Sequence, residues 1–278
     1  METHLLTELI ERLHNLGKTE PAPMGFGRRV ERKQNPALLI IGQTSPSKVK
    51  EFLYSSNVEA VDALLLNAVP GKTATKPLKD VLWGVKTSKI SHEQMDMLKD
   101  AGCELVLVDA LDVHASVLRD DGIAKGIALP LDINERDAHV LDDLPFDFLT
   151  VDYTTKPGDL TVAALMIYQA AVSMVSKHIF LHVSESPEEA ELERLRDLPA
   201  DAVIVDLDSI SDDALSTLRE RVNALDARKP RSHHDEPVSA QTSSSGSDGD
   251  DHEHEHEHED DDDDCSVEPR VSASEPPA

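Results

Sequence analysis

The chain has 278 residues, 39% of them apolar, and carries 54 acidic against 27 basic side chains for a formal net charge of −27. A field of that sign repels phosphate backbones and anionic lipid heads, so nucleic acid and membrane surfaces are not expected as partners, whereas cations and basic groups are. Two cysteines, Cys103 and Cys265, are too few for a disulfide framework, and no charged-then-apolar leader opens the sequence, which together predict a reducing, cytoplasmic setting.

Apolar content is unevenly distributed. Residues after 225 contain 17 acids, 4 bases and almost no Leu, Ile, Phe or Met, while the preceding part holds dense blocks of Leu, Val, Ile and Ala. The pattern predicts three regions: an N-terminal helix with a Pro/Gly-rich loop over 1–36, a folded domain over 37–225, and a disordered tail over 226–278.

In chain order, Leu5, Leu6, Leu9, Ile10, Leu13 and Leu16 recur at helical spacing and stop at Gly17. The stretch to Pro36 contains Pro21, Pro23, Gly25 and Gly27 and reads as a loop. Eight short apolar runs follow: Leu38–Ile41, Ala63–Leu66, Trp83–Val85, Leu105–Val108, Ile127–Leu131, Phe148–Val151, Ile179–Val183 and Ala202–Leu207. Their hydrophobicity is continuous rather than alternating, as in parallel strands buried on both faces.

Helical patterns separate many of these runs, over Ser91–Ala101, Asn134–Leu144, Leu160–Lys177, Pro187–Leu198 and Ser211–Leu225. Ser91-His-Glu-Gln94 and Ser186-Pro-Glu-Glu189 have the form of capping boxes. Asn67–Leu82 has Val69, Pro70, Gly71 and Pro77 and little helical pattern, so one βα unit is expected to be degenerate. The longest apolar stretch, Val162–Val175, is broken by Gln169 and Ser173 and is shorter than the roughly 20 residues that span a bilayer.

Eight alternations of strand and helix predict an α/β fold of the (β/α)8 type. An open doubly wound sheet is the competing arrangement, but its nucleotide-binding form favours a Gly-rich turn after the first strand, and here that turn reads Gly42-Gln-Thr-Ser-Pro46. The segments Asp100-Ala-Gly-Cys-Glu-Leu-Val-Leu-Val-Asp109 and Pro199-Ala-Asp-Ala-Val-Ile-Val-Asp206 resemble TIM-barrel proteins in their cadence. The resemblance covers most of 37–225 and is to the fold, so it implies an architecture and carries over no catalytic residue.

In such a barrel the site lies at the C-terminal strand ends. There the sequence offers Lys86, Asp109, Asp132, Asp152, His182 and Asp206 as a candidate catalytic ring. Lys86 among apolar neighbours suits a base or imine former, and its plainer reading is an ion pair with a strand-end carboxylate. The four aspartates come from four strands, which would suit a divalent ion such as Mg²⁺, although an Asp after a strand often caps the next turn. His182 faces either the lumen or the helix layer, and inward it would serve as base or ligand.

The loops after the last two strands, Ser184-Glu-Ser-Pro187 and Asp208-Ser-Ile-Ser211, lack the glycines of a flavin or sugar-phosphate site. Met24-Gly-Phe-Gly-Arg-Arg29 is the one locally basic Gly-rich segment and reads first as a tight turn. In the tail, His252, His254, His256 and His258 alternate with Glu, a pattern able to bring several imidazoles to one divalent transition metal. Two readings follow. One is a barrel enzyme acting on a small metabolite by proton transfer, isomerisation or lyase chemistry; the other is a non-catalytic barrel scaffold whose tail binds or buffers divalent metals.

Overall fold

In the computed structural model the residues described are 7–18, 35–71, 75–111, 113–119, 122–153, 161–183 and 187–226. All belong to one unit, Met1–Arg231, and the tail after it lies outside the described residues. Eight parallel strands, β1 (Leu39–Thr44), β2 (Ala63–Leu66), β3 (Trp83–Thr87), β4 (Leu105–Val108), β5 (Ala124–Ala128), β6 (Phe148–Tyr153), β7 (His178–Val183) and β8 (Ala202–Asp206), hydrogen-bond in sequence order. The ring closes through Leu39–Gln43 against Ala202–Asp206. Closure removes both sheet edges and rules out the open-sheet alternative.

Seven α-helices occur among the described residues: α1 (Glu8–His14), α2 (Val49–Leu53), α3 (His92–Asp100), α4 (Glu135–Asp143), α5 (Val162–Ser173), α6 (Glu189–Asp197) and α7 (Asp212–Ala224). The β2–β3 connection is the degenerate unit expected, with a single 3-10 turn at Lys76–Leu78, and β4–β5 is a second, with one at Ala115–Arg119. Helix starts follow local chemistry. Ser91 and Gln94 form the predicted capping box on α3, and Asn134, Thr161 and Ser211 cap α4, α5 and α7. On α6 the cap is Glu188, reciprocated by Glu191, two residues beyond the predicted Ser186.

Strand alternation divides the core into two layers. Leu39, Ile41, Ala63, Leu65, Leu105, Leu107, Phe148, Phe180, Ala202 and Ile204 pack inside the barrel, whereas Ile40, Leu149, Val151, Leu181, Val203 and Val205 face the helices. Phe148 and Phe180 stack in the lumen at 4.4 Å between ring centroids. Gly126, facing inward on β5, leaves the volume that the Phe148 ring fills, and a Cβ there would overlap it.

The N-terminal end of the barrel is shut by α1, whose Leu9, Ile10 and Leu13 join the lumen cluster. The plug is fastened by backbone and side-chain bonds: the Glu8 N–H donates to the Glu104 carboxylate, and the Arg12 guanidinium to the Asp62 carbonyl. Burial raises the Glu104 carboxyl above its ordinary pKa. The helix stops at His14, three residues short of the predicted Gly17, and Gly17 takes φ 65° in the turn that follows, a left-handed conformation that glycine adopts without a Cβ penalty.

A carboxylate just before an even-numbered strand recurs around this closed end. Asp62 accepts from the Ile40 N–H, Asp147 from the Lys125 N–H and Asp201 from the Ile179 N–H, so each carboxylate ties its own strand to the preceding one. These bonds satisfy backbone donors at strand starts that the ladder leaves open.

Several strand ends differ by one to three residues from the apolar runs, and β5 is displaced as a whole. Residues Ala124–Ala128 form β5, where the apolar run predicts Ile127–Leu131. Lys125 and Gly126 hide the strand in the sequence: Lys125 is 4% exposed, directed to the helix layer, and its ammonium donates to the Leu118 carbonyl, while Gly126 is required by Phe148.

Candidate active site

At the open, C-terminal end the same alternation turns Gln43 of β1, Lys86 of β3, Thr150 and Asp152 of β6, His182 of β7 and Asp206 of β8 into the lumen. They meet, with Asp109 after β4 and Ser209 after β8, around a cavity of about 430 Å³. Leu107, Ala128, Leu129 and Val183 complete its wall. The volume lies within the range of small-molecule sites. Five of the six ring residues read from the sequence therefore share one cavity: Lys86, Asp109, Asp152, His182 and Asp206. Alternation also fixes the direction of His182, because Leu181 and Val183 belong to the helix-side layer.

Asp152 and His182 are direct partners in the β6–β7 register. Burial, reinforced by the Lys86 ammonium and opposed by Asp152, lowers the His182 pKa to about 4, so the imidazole is neutral at pH 7. Its Nε2 is buried without a hydrogen-bond partner, as is the Gln43 Oε1 across the lumen. Thr150, 3% exposed, also lines the cavity. Buried polar groups are normally satisfied, so unsatisfied ones around a cavity are the imprint of a ligand or of bound water. Gln43 stands at a strand end in the sequence without being one of the candidate ring, and Thr150 is not read there at all; its inward direction at the cavity level marks it.

Lys86 makes no ion pair within the described residues, so the plainer sequence reading of a strand-end salt bridge is not what the structure shows. Asp109 and Asp152 likewise keep their carboxylates free of side-chain bonds there. Asp206 is different. Its Oδ1 accepts from the Asp208 N–H, and its carbonyl accepts from the Ser209 and Ile210 N–H groups, so it organises the β8–α7 turn while it lines the cavity. Asp208 is structural, as its position before the helix implies: its carboxylate accepts from the Thr44 hydroxyl at 3.0 Å and pairs with Lys48.

Asp132 is the exception in the predicted ring. It sits exposed in the turn after β5, outside the cavity, because β5 ends three residues before the apolar run does and carries Asp132 past the strand end. Among the described residues no three His, Cys, Asp or Glu side chains converge as metal ligands, so the four aspartates do not come together as one cluster. Cys103 is buried, its thiol pushed up to about 12 by desolvation, and is no nucleophile. The segment Met24–Arg29, the loop Ser184–Ser186, Cys265 and the four tail histidines, His252, His254, His256 and His258, lie outside the described residues. No described helix is long and apolar enough to cross a membrane.

No protein-family model matches the chain, and no curated protein matches it in sequence. Solved structures do match in fold. A variant of the tryptophan synthase alpha-subunit from the hyperthermophile Pyrococcus furiosus has TM-score 0.51 and 16% identity over 67% of this chain and 96% of its own. The tryptophan synthase a2b2 complex from the same organism gives TM-score 0.50 and 14% identity, with the same coverage of each chain. Identity at this level transfers architecture and no residue role. On closure, strand order and structural likeness together, the chain is a TIM barrel.

Proposed function

We propose that the chain is a barrel enzyme that acts on a small metabolite by proton transfer, leading to isomerisation or lyase-type cleavage, in the cavity at the C-terminal strand ends. The observation that supports this most is the unpartnered neutral imidazole of His182 beside Lys86 and Asp152 in a cavity of substrate size. A pKa of about 4 makes that imidazole no stronger a base than an ordinary carboxylate, which also titrates near about 4. The proton acceptor is Asp152, which faces the cavity beside His182 with its carboxylate free of side-chain bonds among the described residues, and His182 acts as a neutral hydrogen-bond partner to a ligand oxygen.

Lys86 supplies the positive charge that stabilises that oxygen as electrons move onto it. Asp152 takes a proton from the hydroxyl-bearing carbon next to the ligand's carbonyl, giving an enediolate whose oxygen Lys86 stabilises. Returning the proton to the former carbonyl carbon, as the hydroxyl proton passes to the old carbonyl oxygen, isomerises the ligand. Re-forming the carbonyl with departure of a group and its bonding electrons from the β carbon instead leaves an unsaturated product, the leaving group taking the proton from Asp152. The test is a metabolite screen with the full chain, repeated with Lys86→Met and Asp152→Asn. Each variant is expected to lower turnover by about 10²–10⁴-fold, the usual weight of an acid–base or electrostatic group, with unfolding unchanged. Turnover that survives both substitutions, or no turnover of any metabolite, overturns the proposal.

A second reading rests on the alternation of His252, His254, His256 and His258 with glutamates, in which the barrel is a scaffold and the tail holds divalent transition metals.

A further inference from the structure

The phosphate site common in barrels of this kind uses free backbone N–H groups in the loops after strands seven and eight and at the helices they lead into. Among the described residues, the donors after strand eight and at the two helix starts are already engaged. The N–H groups of Leu207, Asp208, Ser209 and Ile210 donate to the Gln43 carbonyl, the Asp206 carboxylate and the Asp206 carbonyl, and the Ser209 hydroxyl donates to the same carbonyl. At α7 the Ser211 hydroxyl receives the Ala214 N–H, and at α6 two carboxylates, Glu188 and Glu191, form the cap. A negative charge thus stands at both places where a phosphate would be held.

The cavity itself is short of donors and rich in acceptors. Three carboxylates, Asp109, Asp152 and Asp206, face one ammonium, Lys86, across the wall, and the buried Gln43 Oε1 is a further acceptor with no donor to meet it. The His182 Nε2, buried and without a partner, is left to a neutral polar group. A ligand that completes this wall brings several N–H donors and a positive charge.

The geometry points to an unphosphorylated, amine-bearing small molecule as the cavity's ligand, its ammonium held by the wall's carboxylates, Asp109 among them, and its hydroxyl or carbonyl oxygen directed to Lys86 and His182. This rests on the cavity being the working site but concerns only what enters it.

The test uses ligands matched in all but charge: glucosamine, glucose and glucose 6-phosphate, and the smaller set putrescine, 1,4-butanediol and inorganic phosphate. Each is titrated into the full chain while the His182 ring and Gln43 side-chain amide resonances are followed by NMR. The amines are expected to shift both sets at concentrations at least tenfold below the matched alcohols. Raising salt and Asp109→Asn should each erode that preference, and the phosphates should shift neither set. Should Asp109→Asn fail to fold, the salt series on the unaltered chain carries the same information. Phosphates that shift these resonances as readily as the amines, or amines no better than alcohols, overturn the inference and leave the cavity as the site. Silence from every compound overturns the inference, while the enzyme reading stands or falls by the metabolite screen.

Discussion

His182 should make the barrel acid-sensitive in a defined window. Its pKa is lowered to about 4 in the folded chain, against an unfolded value of about 6.5. Between those values the unfolded chain binds the proton and the folded chain does not, so falling pH favours unfolding. The sign is that of a depressed folded pKa: the His182 contribution is complete above about pH 6.5, declines as pH falls, and reaches its full loss below about pH 4. Linkage gives a cost of about 2 kcal/mol between pH 7.5 and pH 5, and about 3 kcal/mol when the transition is complete. Other groups titrate in the same range. Burial lowers His14 and raises Glu104, with opposite consequences for stability, so absolute stability is the wrong measure. The comparison is between the native chain and His182→Gln, each unfolded in urea at pH 7.5, 6.5 and 5, where the contributions of His14 and Glu104 cancel. The native chain should lose about 2 kcal/mol relative to the variant on going from pH 7.5 to 5. A difference that stays flat with pH, or that moves the other way, would refute the assignment of a buried neutral imidazole.

Three further outcomes are expected. Gly126→Ala places a Cβ against the Phe148 ring inside a filled lumen, and overpacking of this kind costs about 1–3 kcal/mol in urea unfolding, whereas Gly71→Ala, with nothing within 4 Å of the new atom, should change stability by less than about 0.5 kcal/mol. Asp201→Ala removes the acceptor of the Ile179 N–H and of His178 Nδ1 at a position 5% exposed, so unfolding should become easier by about 1–3 kcal/mol, the cost of a buried unsatisfied donor. Deleting residues 226–278 should remove zinc bound to the full chain, read by elemental analysis after dialysis against zinc; a metal content unchanged by the deletion counts against the scaffold reading.

The periodicity of the chain was enough to read the barrel. Eight continuous apolar runs separated by helical patterns demand a parallel sheet covered on its outer face, and eight such units in order close most simply on themselves. The Ser91–Gln94 capping box is legible because capping is settled within four residues, although the one read at Ser186 lies two residues before the Glu188–Glu191 cap. The start of β5 is not, since a buried Lys125 and a volume-giving Gly126 look polar and flexible until the Leu118 carbonyl and the Phe148 ring are placed beside them.

The site divides in the same way. Strand ends are visible in sequence, so Lys86, Asp109, Asp152, His182 and Asp206 could be collected from it, and Asp132 was collected with them because its distance from a strand end was misread by three residues. What the sequence by itself determined is the order of elements and the polar character of the mouth, both of which depend on neighbours along the chain. Tertiary structure alone decided which way His182 faces, which aspartates remain free and which are bound to backbone donors, and that Gln43 and Thr150 belong to the cavity. Each of these depends on closure of the ring, which brings into one small volume side chains separated by more than a hundred residues and withdraws them from water.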